Sequence, residues 1–98
     1  FIKYLLYKAK TRARLKGLEF SLCETDIIIP SHCPILGIEL NQGRRSLEER
    51  NNAPCIDRKD NSKGYVKNNI AVISFKANKL KGELTKDQLK ALLAYVSS

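Results

Sequence analysis

Residues 52–82 constrain the fold more than any other stretch, because their pattern changes from strand to loop to strand to helix. A strand is predicted at Pro54–Asp57, a polar loop at Arg58–Asn68, a second strand at Asn69–Ser74 and a short basic helix at Phe75–Lys81. The apolar, mostly β-branched run at residues 70–73 favours a buried strand over a helix. The stretch therefore predicts a ββα unit.

This unit is expected to bring two polar residues together. Asp57 stands at the end of the first strand, and Asn78 lies on the helix that is expected to pack back over the hairpin. Gly64 is expected to supply a positive φ in the loop, since glycine adopts that conformation without steric cost.

The order of residues in this unit resembles the HNH, or ββα-metal, endonuclease family. The resemblance rests on Ile56-Asp57-Arg58, Asp60, Gly64-Tyr65, Asn69-Ile70 and Asn78-Lys79-Leu80-Lys81, with Cys33-Pro34-Ile35-Leu36-Gly37 where such proteins often carry a cysteine knuckle. It covers residues 30–81 of the chain. The similar branch is common in bacteriophage and restriction enzymes, which implies a phage-encoded protein acting in the cytoplasm of a bacterial host.

The resemblance implies one divalent ion, Mg²⁺ or Mn²⁺. Asp57 matches the carboxylate ligand, and Asn78 matches the last motif residue, a helix position that binds metal as His or Asn. Both side chains offer the oxygen atoms that hard cations prefer. Asn69 matches the middle Asn, whose implied role is to brace the loop through hydrogen bonds to backbone atoms. Asp60 is expected to be a turn residue or a partner of Arg58.

The chain departs from the family pattern where a histidine normally serves as general base, because Arg58 stands there. Arginine stays protonated and cannot act as a base, but it can clamp a phosphate. The proton acceptor is left open between His32, the only histidine, and a tyrosine near the site, Tyr65, Tyr4 or Tyr7. Arg58, His32, Asn69 and Tyr65 are thus the predicted catalytic residues.

The net charge of +8 favours a polyanionic partner, here double-stranded DNA rather than a membrane. Six basic residues and no acid occur in residues 1–17, and such charges repel one another unless an anion lies beside them. The residues expected to contact nucleic acid are Lys8, Lys10, Arg12, Arg14, Lys16, Lys59, Lys63, Lys76, Lys79 and Lys81.

Structural zinc is not expected, because the three cysteines, Cys23, Cys33 and Cys55, never form a close pair. Leu36, Ser74 and Ala77 stand where zinc-binding relatives carry cysteines, so the knuckle is expected to pack through apolar contacts, and Cys55 is expected to be buried. Without a signal peptide or a long apolar run, the chain is expected to be cytoplasmic with reduced thiols.

The flanking segments complete the prediction. A helix is predicted at residues 1–16, with Gly17 ending it. Its core-facing stripe is expected to consist of Ile2, Leu5, Leu6, Ala9 and Ala13. Residues 24–29 fit either a single helical turn or a strand, and residues 41–53 fit an exposed loop. A last helix, Leu84–Ser98, starts at a Thr85–Gln88 capping box and is expected to bury Leu89, Leu92, Leu93 and Val96.

We therefore expect one small α+β domain over residues 1–98, with an N-terminal basic helix, a ββα-metal core at about residues 54–82 and a C-terminal helix. Its expected function is metal-dependent hydrolysis of DNA. The alternative is a noncatalytic HNH-derived module that binds DNA or a partner protein; an RNA-binding module lacks an aromatic platform of the RNP type. Strong sequence specificity would suggest a dimer or a further domain, since so small a monomer covers few base pairs. The protein partners considered are a second copy in a homodimer and a different partner protein.

Overall fold

The computed structural model describes residues 1–42 and 49–97, without the side chain of Glu49. Within them lie helices α1 (Ile2–Lys16), α2 (Phe75–Glu83) and α3 (Lys86–Ser97), and strands β1 (Pro54–Arg58) and β2 (Ile70–Ser74). Short 3₁₀ turns occur at Glu24–Asp26 and Glu49–Asn52. The described chain is thus a small mixed α+β domain. The centre of the loop predicted at residues 41–53 lies outside the described residues.

The two strands pair antiparallel, and β2 leads directly into α2. The register runs from Pro54 opposite Ser74 to Arg58 opposite Ile70. Ser74 caps the helix, because its Oγ accepts a hydrogen bond from the Ala77 amide at 3.1 Å. The predicted order of strand, loop, strand and helix is confirmed.

Helix α1 covers one side of this unit. Leu5, Ala9 and Ala13 are buried, and Ile2 and Leu6 pack at the edge of the same core, as the spacing predicts. Small alanines at two of the buried positions allow α1 to pack closely against β1, where Ile56 is almost fully buried. Gly17 ends the helix in the left-handed conformation with φ of 67°.

The expectation for Gly64 is wrong, because its φ is not positive; Asn68 takes the positive φ of this loop, at 72°. Gly64 is needed for a different reason. A Cβ there would lie against the backbone of Glu19 and only 2.8 Å from its nitrogen. This close approach lets Tyr65 pair with Phe20 in a short parallel bridge, with Tyr65 N donating to Glu19 O at 2.8 Å.

The segment before the sheet contains the knuckle. For residues 24–29 the sequence fits either a single helical turn or a strand. The structure has a single helical turn at residues 24–26, and the backbone at Ile27 is extended. Cys33 is buried, as expected for a knuckle that packs into the core. Its Sγ also accepts hydrogen bonds from the amides of Leu36 and Ser74, both at 3.4 Å, so the packing is not purely apolar. Cys55 is only half-buried, contrary to the prediction.

The prediction that α3 buries an apolar stripe is wrong. Its capping box is present, with Gln88 N donating to Thr85 Oγ1 at 3.1 Å and Thr85 N donating to Gln88 Oε1 at 2.9 Å. Yet among its described residues none is buried, and Leu93 is 65% exposed. The capping box starts a new helix three residues after α2 ends, and α1 already covers the core that this stripe was expected to reach.

No helix in the described ranges is both long and apolar enough to cross a membrane.

Candidate functional site

A cavity of about 310 Å³ lies between α1, the end of β1 and α2. We call it the Asp57 cavity. Its charged and polar lining consists mainly of Arg12, Lys16, Asp57, Arg58, Asn78 and Lys81, with Tyr65 among the other lining residues. The structure thus brings together both predicted metal ligands, Asp57 and Asn78, with two of the predicted catalytic residues, Arg58 and Tyr65.

Helical spacing explains this convergence. Arg12 and Lys16 are four residues apart on α1, and Asn78 and Lys81 are three apart on α2, so each pair shares a helix face. Asp57 reaches the cavity because it lies at the end of β1, beside the start of the polar loop. The ββα unit and α1 therefore both contribute to the site.

The most specific contact in the cavity joins Lys81 to Asp57. The Lys81 ammonium lies 2.8 Å from Asp57 Oδ2 and also donates to the Arg58 carbonyl at 2.8 Å. The Asp57 side chain is 16% exposed and that of Lys81 36%. Lys81 is predicted to contact a phosphate. In the structure it instead forms an ion pair with Asp57, the predicted metal ligand.

Arg58 is fixed beside the cavity by the loop that follows it. Its Nη1 donates to the carbonyl oxygens of Asn61 at 2.8 Å and Lys63 at 2.9 Å. Asp60 forms no ion pair with Arg58. Its Oδ1 accepts hydrogen bonds from the hydroxyl and the amide of Ser62, and these bonds hold the pKa of Asp60 below its ordinary value. The expectation that Asp60 is a turn residue is confirmed.

Tyr65 is buried beneath the cavity and contacts two arginines, Arg12 and Arg58. Its hydroxyl accepts a hydrogen bond from Arg12 Nε at 3.0 Å, and Arg12 Nη2 donates to the Ile56 carbonyl at 3.2 Å. The guanidinium groups of Arg12 and Arg58 lie 5.6 and 5.4 Å from the centre of its ring. Arg12 was predicted only as a phosphate contact; its role in orienting Tyr65 is not readable from a run of helical charges.

Asn69 braces the loop as predicted. Its Oδ1 accepts from the Asp60 amide at 2.9 Å, while its Nδ2 donates to the carbonyls of Asp60 at 3.2 Å and Gly64 at 2.9 Å. The side chain is buried, so these bonds are shielded from water. The loop between the strands therefore has a fixed shape, and with it the position of Arg58.

The predicted basic residues do not form one surface. Lys16 and Arg12 line the Asp57 cavity, and Lys8 continues the same face of α1 into a neighbouring cavity. Lys10 and Arg14 line a separate depression beside Tyr7, and Lys59 lines another near Asp26. Lys63, Lys76 and Lys79 are exposed. Only part of the predicted set lies beside Asp57.

His32 lies away from these groups. It is exposed in the turn formed by residues 31–40, where its Nδ1 shares a hydrogen bond of 2.9 Å with Ser31 Oγ. His32 is not among the described residues that line the Asp57 cavity or the neighbouring cavity. Tyr4 lines the neighbouring cavity, which leaves Tyr65 and Tyr4 as the tyrosines closest to the predicted ligands.

The oxygen donors of Asp57 and Asn78 suit a hard divalent ion that takes its other ligands from water and phosphate. The described part of the chain contains no group of three His, Cys, Asp or Glu residues able to hold a metal. The side chains therefore offer a sparse site, and an ion reaches Asp57 Oδ2 only if the Lys81 ammonium moves.

Cys33 is a further group whose pKa is shifted. Burial raises the pKa of its thiol, but hydrogen bonds from Leu36, Ser74 and Ile35 outweigh burial and lower the pKa to about 7. The thiol lies inside the core and lines neither cavity, so its effect is on stability.

Comparison of the chain with protein-family models, with curated proteins and with solved structures gives no match.

Proposed function

We propose that this chain is a divalent-metal-dependent DNA endonuclease that hydrolyses phosphodiester bonds. The observation that supports the proposal is the convergence of Asp57, Asn78, Arg58 and the basic face of α1 on one cavity. Phosphodiester hydrolysis needs oxygen ligands for a metal ion beside cations for the phosphate, and this cavity holds both kinds of group.

In this proposal Asp57 and Asn78 hold Mg²⁺ or Mn²⁺, which when bound polarises the phosphate and lowers the pKa of a water molecule. Arg12, Lys16 and Arg58 hold the DNA backbone, and Lys81 leaves Asp57 to join them at the phosphate. The hydrogen bonds of Arg58 to the loop carbonyls fix the direction from which it meets the phosphate. Tyr65 and His32 stay the candidates for the proton acceptor, and Tyr65 is the one that lines the cavity.

A second candidate function is noncatalytic binding of double-stranded DNA through the same basic face. The ion pair between Lys81 and Asp57 favours it, because the ammonium neutralises the carboxylate that would otherwise repel phosphate. In that case Asp57 organises Lys81 and needs no metal.

The two functions predict different results with supercoiled plasmid at low salt. The purified protein is incubated with Mg²⁺ or Mn²⁺, and parallel reactions contain EDTA or the Asp57→Asn variant. Asp60→Asn is the matched control, because Asp60 is a carboxylate just after the end of β1 whose side chain serves only the turn there. Nicking that requires metal and Asp57, but not Asp60, supports the nuclease. DNA binding without nicking under every condition supports the binding module.

A further inference from the structure

A second cavity, of about 320 Å³, adjoins the Asp57 cavity and differs from it in chemistry. We call it the aromatic cavity. The two share Arg12, Ile56 and Asn78 in their linings, so they are neighbours along α1. The aromatic cavity adds three rings and two cations, those of Phe1, Tyr4, Phe75, Lys8 and Arg50.

Two of the three rings that line this cavity have a cation beside them, and the third, Phe1, lies 6.0 Å from the Tyr4 ring centre to centre. The Lys8 ammonium lies 5.9 Å from the centre of the Tyr4 ring, and the Arg50 guanidinium lies 5.5 Å from the centre of the Phe75 ring. Tyr4 is 56% exposed although it is aromatic. Core packing therefore does not explain this residue, and its open ring surface is available for stacking.

Aromatic rings interleaved with cations are the combination that binds unpaired nucleotides. Bases stack on the rings irrespective of their identity, while the cations follow the backbone. A paired base is held inside the duplex and cannot enter a cavity of this kind. The amide of Asn78, which the described part of the chain leaves without a hydrogen-bond partner, adds a polar group at the boundary of the two cavities.

We propose that the aromatic cavity is a binding site for an unstacked nucleobase of a DNA strand whose phosphate lies in the Asp57 cavity. The proposal rests on the proposed function for the identity of the polyanion. It adds that the substrate is DNA with unpaired nucleotides beside the cleaved bond, because the base and the phosphate occupy neighbouring cavities at the same time.

Tyr4 and Tyr7 provide a matched test. Both are exposed tyrosines of α1, three residues apart, but Tyr7 lines a different depression with Lys10 and Arg14. The affinity of the full chain is measured by fluorescence anisotropy in EDTA for three ligands: a labelled single strand, a blunt duplex of the same sequence, and a fully abasic strand of equal length. The variants are Tyr4→Leu, Tyr7→Leu and Tyr4→Phe.

Tyr4→Leu is expected to weaken binding of the single strand about tenfold, while Tyr7→Leu and Tyr4→Phe change it less than about twofold. Binding of the duplex and the abasic strand is expected to change less than about twofold in all three variants, since neither presents an unpaired base. Equal effects of Tyr4→Leu and Tyr7→Leu, or equal losses for the normal and abasic strands, would overturn the proposal.

The failure of this proposal is distinguishable from failure of the nuclease. The binding measurements contain no metal and require no cleavage. One possible result is that plasmid nicking depends on Asp57 while Tyr4→Leu leaves the affinity for the single strand unchanged. This result rejects the base site and supports the nuclease. Loss of single-strand affinity in Tyr4→Leu without nicking in the wild type retains the base site and rejects the nuclease.

Discussion

The Lys81 ammonium lies 2.8 Å from Oδ2 of Asp57 and holds the carboxylate that the proposed mechanism assigns to the metal. Lys81 also donates to the Arg58 carbonyl, so it is held by the end of β1 at two points. A lysine in this position acts as an internal counter-ion. A metal ion and the ammonium compete for the same oxygen, and the competition is open to measurement.

Lys81→Met should raise the affinity for Mn²⁺ about tenfold, because the competing ammonium is gone while the apolar part of the side chain is retained. Removing this partly exposed ion pair should cost about 1 kcal/mol of unfolding free energy. Titration calorimetry measures the affinity, and urea denaturation measures the stability. Lys79→Met, an exposed lysine of the same helix, is the control and should change neither quantity. Unchanged or weaker Mn²⁺ binding in Lys81→Met would show that Asp57 is not a metal ligand.

Asn69→Ala should lower the free energy of unfolding by about 2–4 kcal/mol, because it removes the three hydrogen bonds by which this buried side chain holds the loop. Urea denaturation checks this value. Asn61→Ala lies in the same loop, but its side chain is exposed, and it should change stability by less than about 0.5 kcal/mol. Equal effects of the two substitutions would contradict the bracing role of Asn69.

Gly64→Ala should destabilise the protein by at least about 2 kcal/mol, because the new methyl group meets backbone atoms of Glu19 that cannot move without breaking the bridge to Tyr65. Gly82→Ala is a matched control in helix α2, where an added Cβ has nothing within 4 Å. It should stabilise the protein by up to about 1 kcal/mol, since alanine favours helices. Thermal unfolding of both variants measures the contrast, and a neutral Gly64→Ala would refute the close packing.

Cys33 should make stability depend on pH between about 7 and 9. Its pKa is lowered from 9.0 to about 7 in the folded protein, so the folded state favours the thiolate. The resulting stabilisation is fully present above the unfolded pKa and is lost as the pH falls through about 7. The free energy of unfolding should therefore rise by up to about 2 kcal/mol from pH 7 to pH 9.

Urea denaturation at pH 7, 8 and 9 tests this pH dependence against two variants. Cys33→Ser removes the titrating thiol and should abolish the Cys33 contribution to the rise. Cys23→Ala replaces an exposed cysteine and should leave the rise intact. An identical rise in the wild type and Cys33→Ser would assign it to another group.

Local pattern predicted the central part of the fold well. The strands and helix of residues 54–83 follow from a short β-branched run, turn residues and a basic helical segment, all of which act over a few neighbours. The failures involve distant parts of the chain. Position 64 must be glycine because the backbone of Glu19, more than forty residues away, leaves no room for a Cβ. The exposure of α3 depends on which element already covers the core. Neither can be read from local periodicity.

The site was predictable to a similar degree. The resemblance named Asp57, Asn78, Arg58 and Tyr65, and the structure places them around one cavity. The pairing of Lys81 with Asp57 and the contact of Arg12 with Tyr65 were missed, because a basic residue near a phosphate site has the same sequence pattern whether it binds DNA or another side chain. His32 has a suitable side chain, but its turn lies outside the linings of both cavities.

Metal-dependent cleavage through Asp57 is tested most directly by the first-order rate of plasmid cleavage at saturating protein, with Mn²⁺, for the wild type and Asp57→Asn. Saturation removes differences in DNA affinity, so the rate reports the chemical step alone. The rate is expected to fall at least about a thousandfold in Asp57→Asn while DNA binding is retained or strengthened. Equal rates in the two proteins, or no metal-dependent cleavage by the wild type, would contradict this expectation.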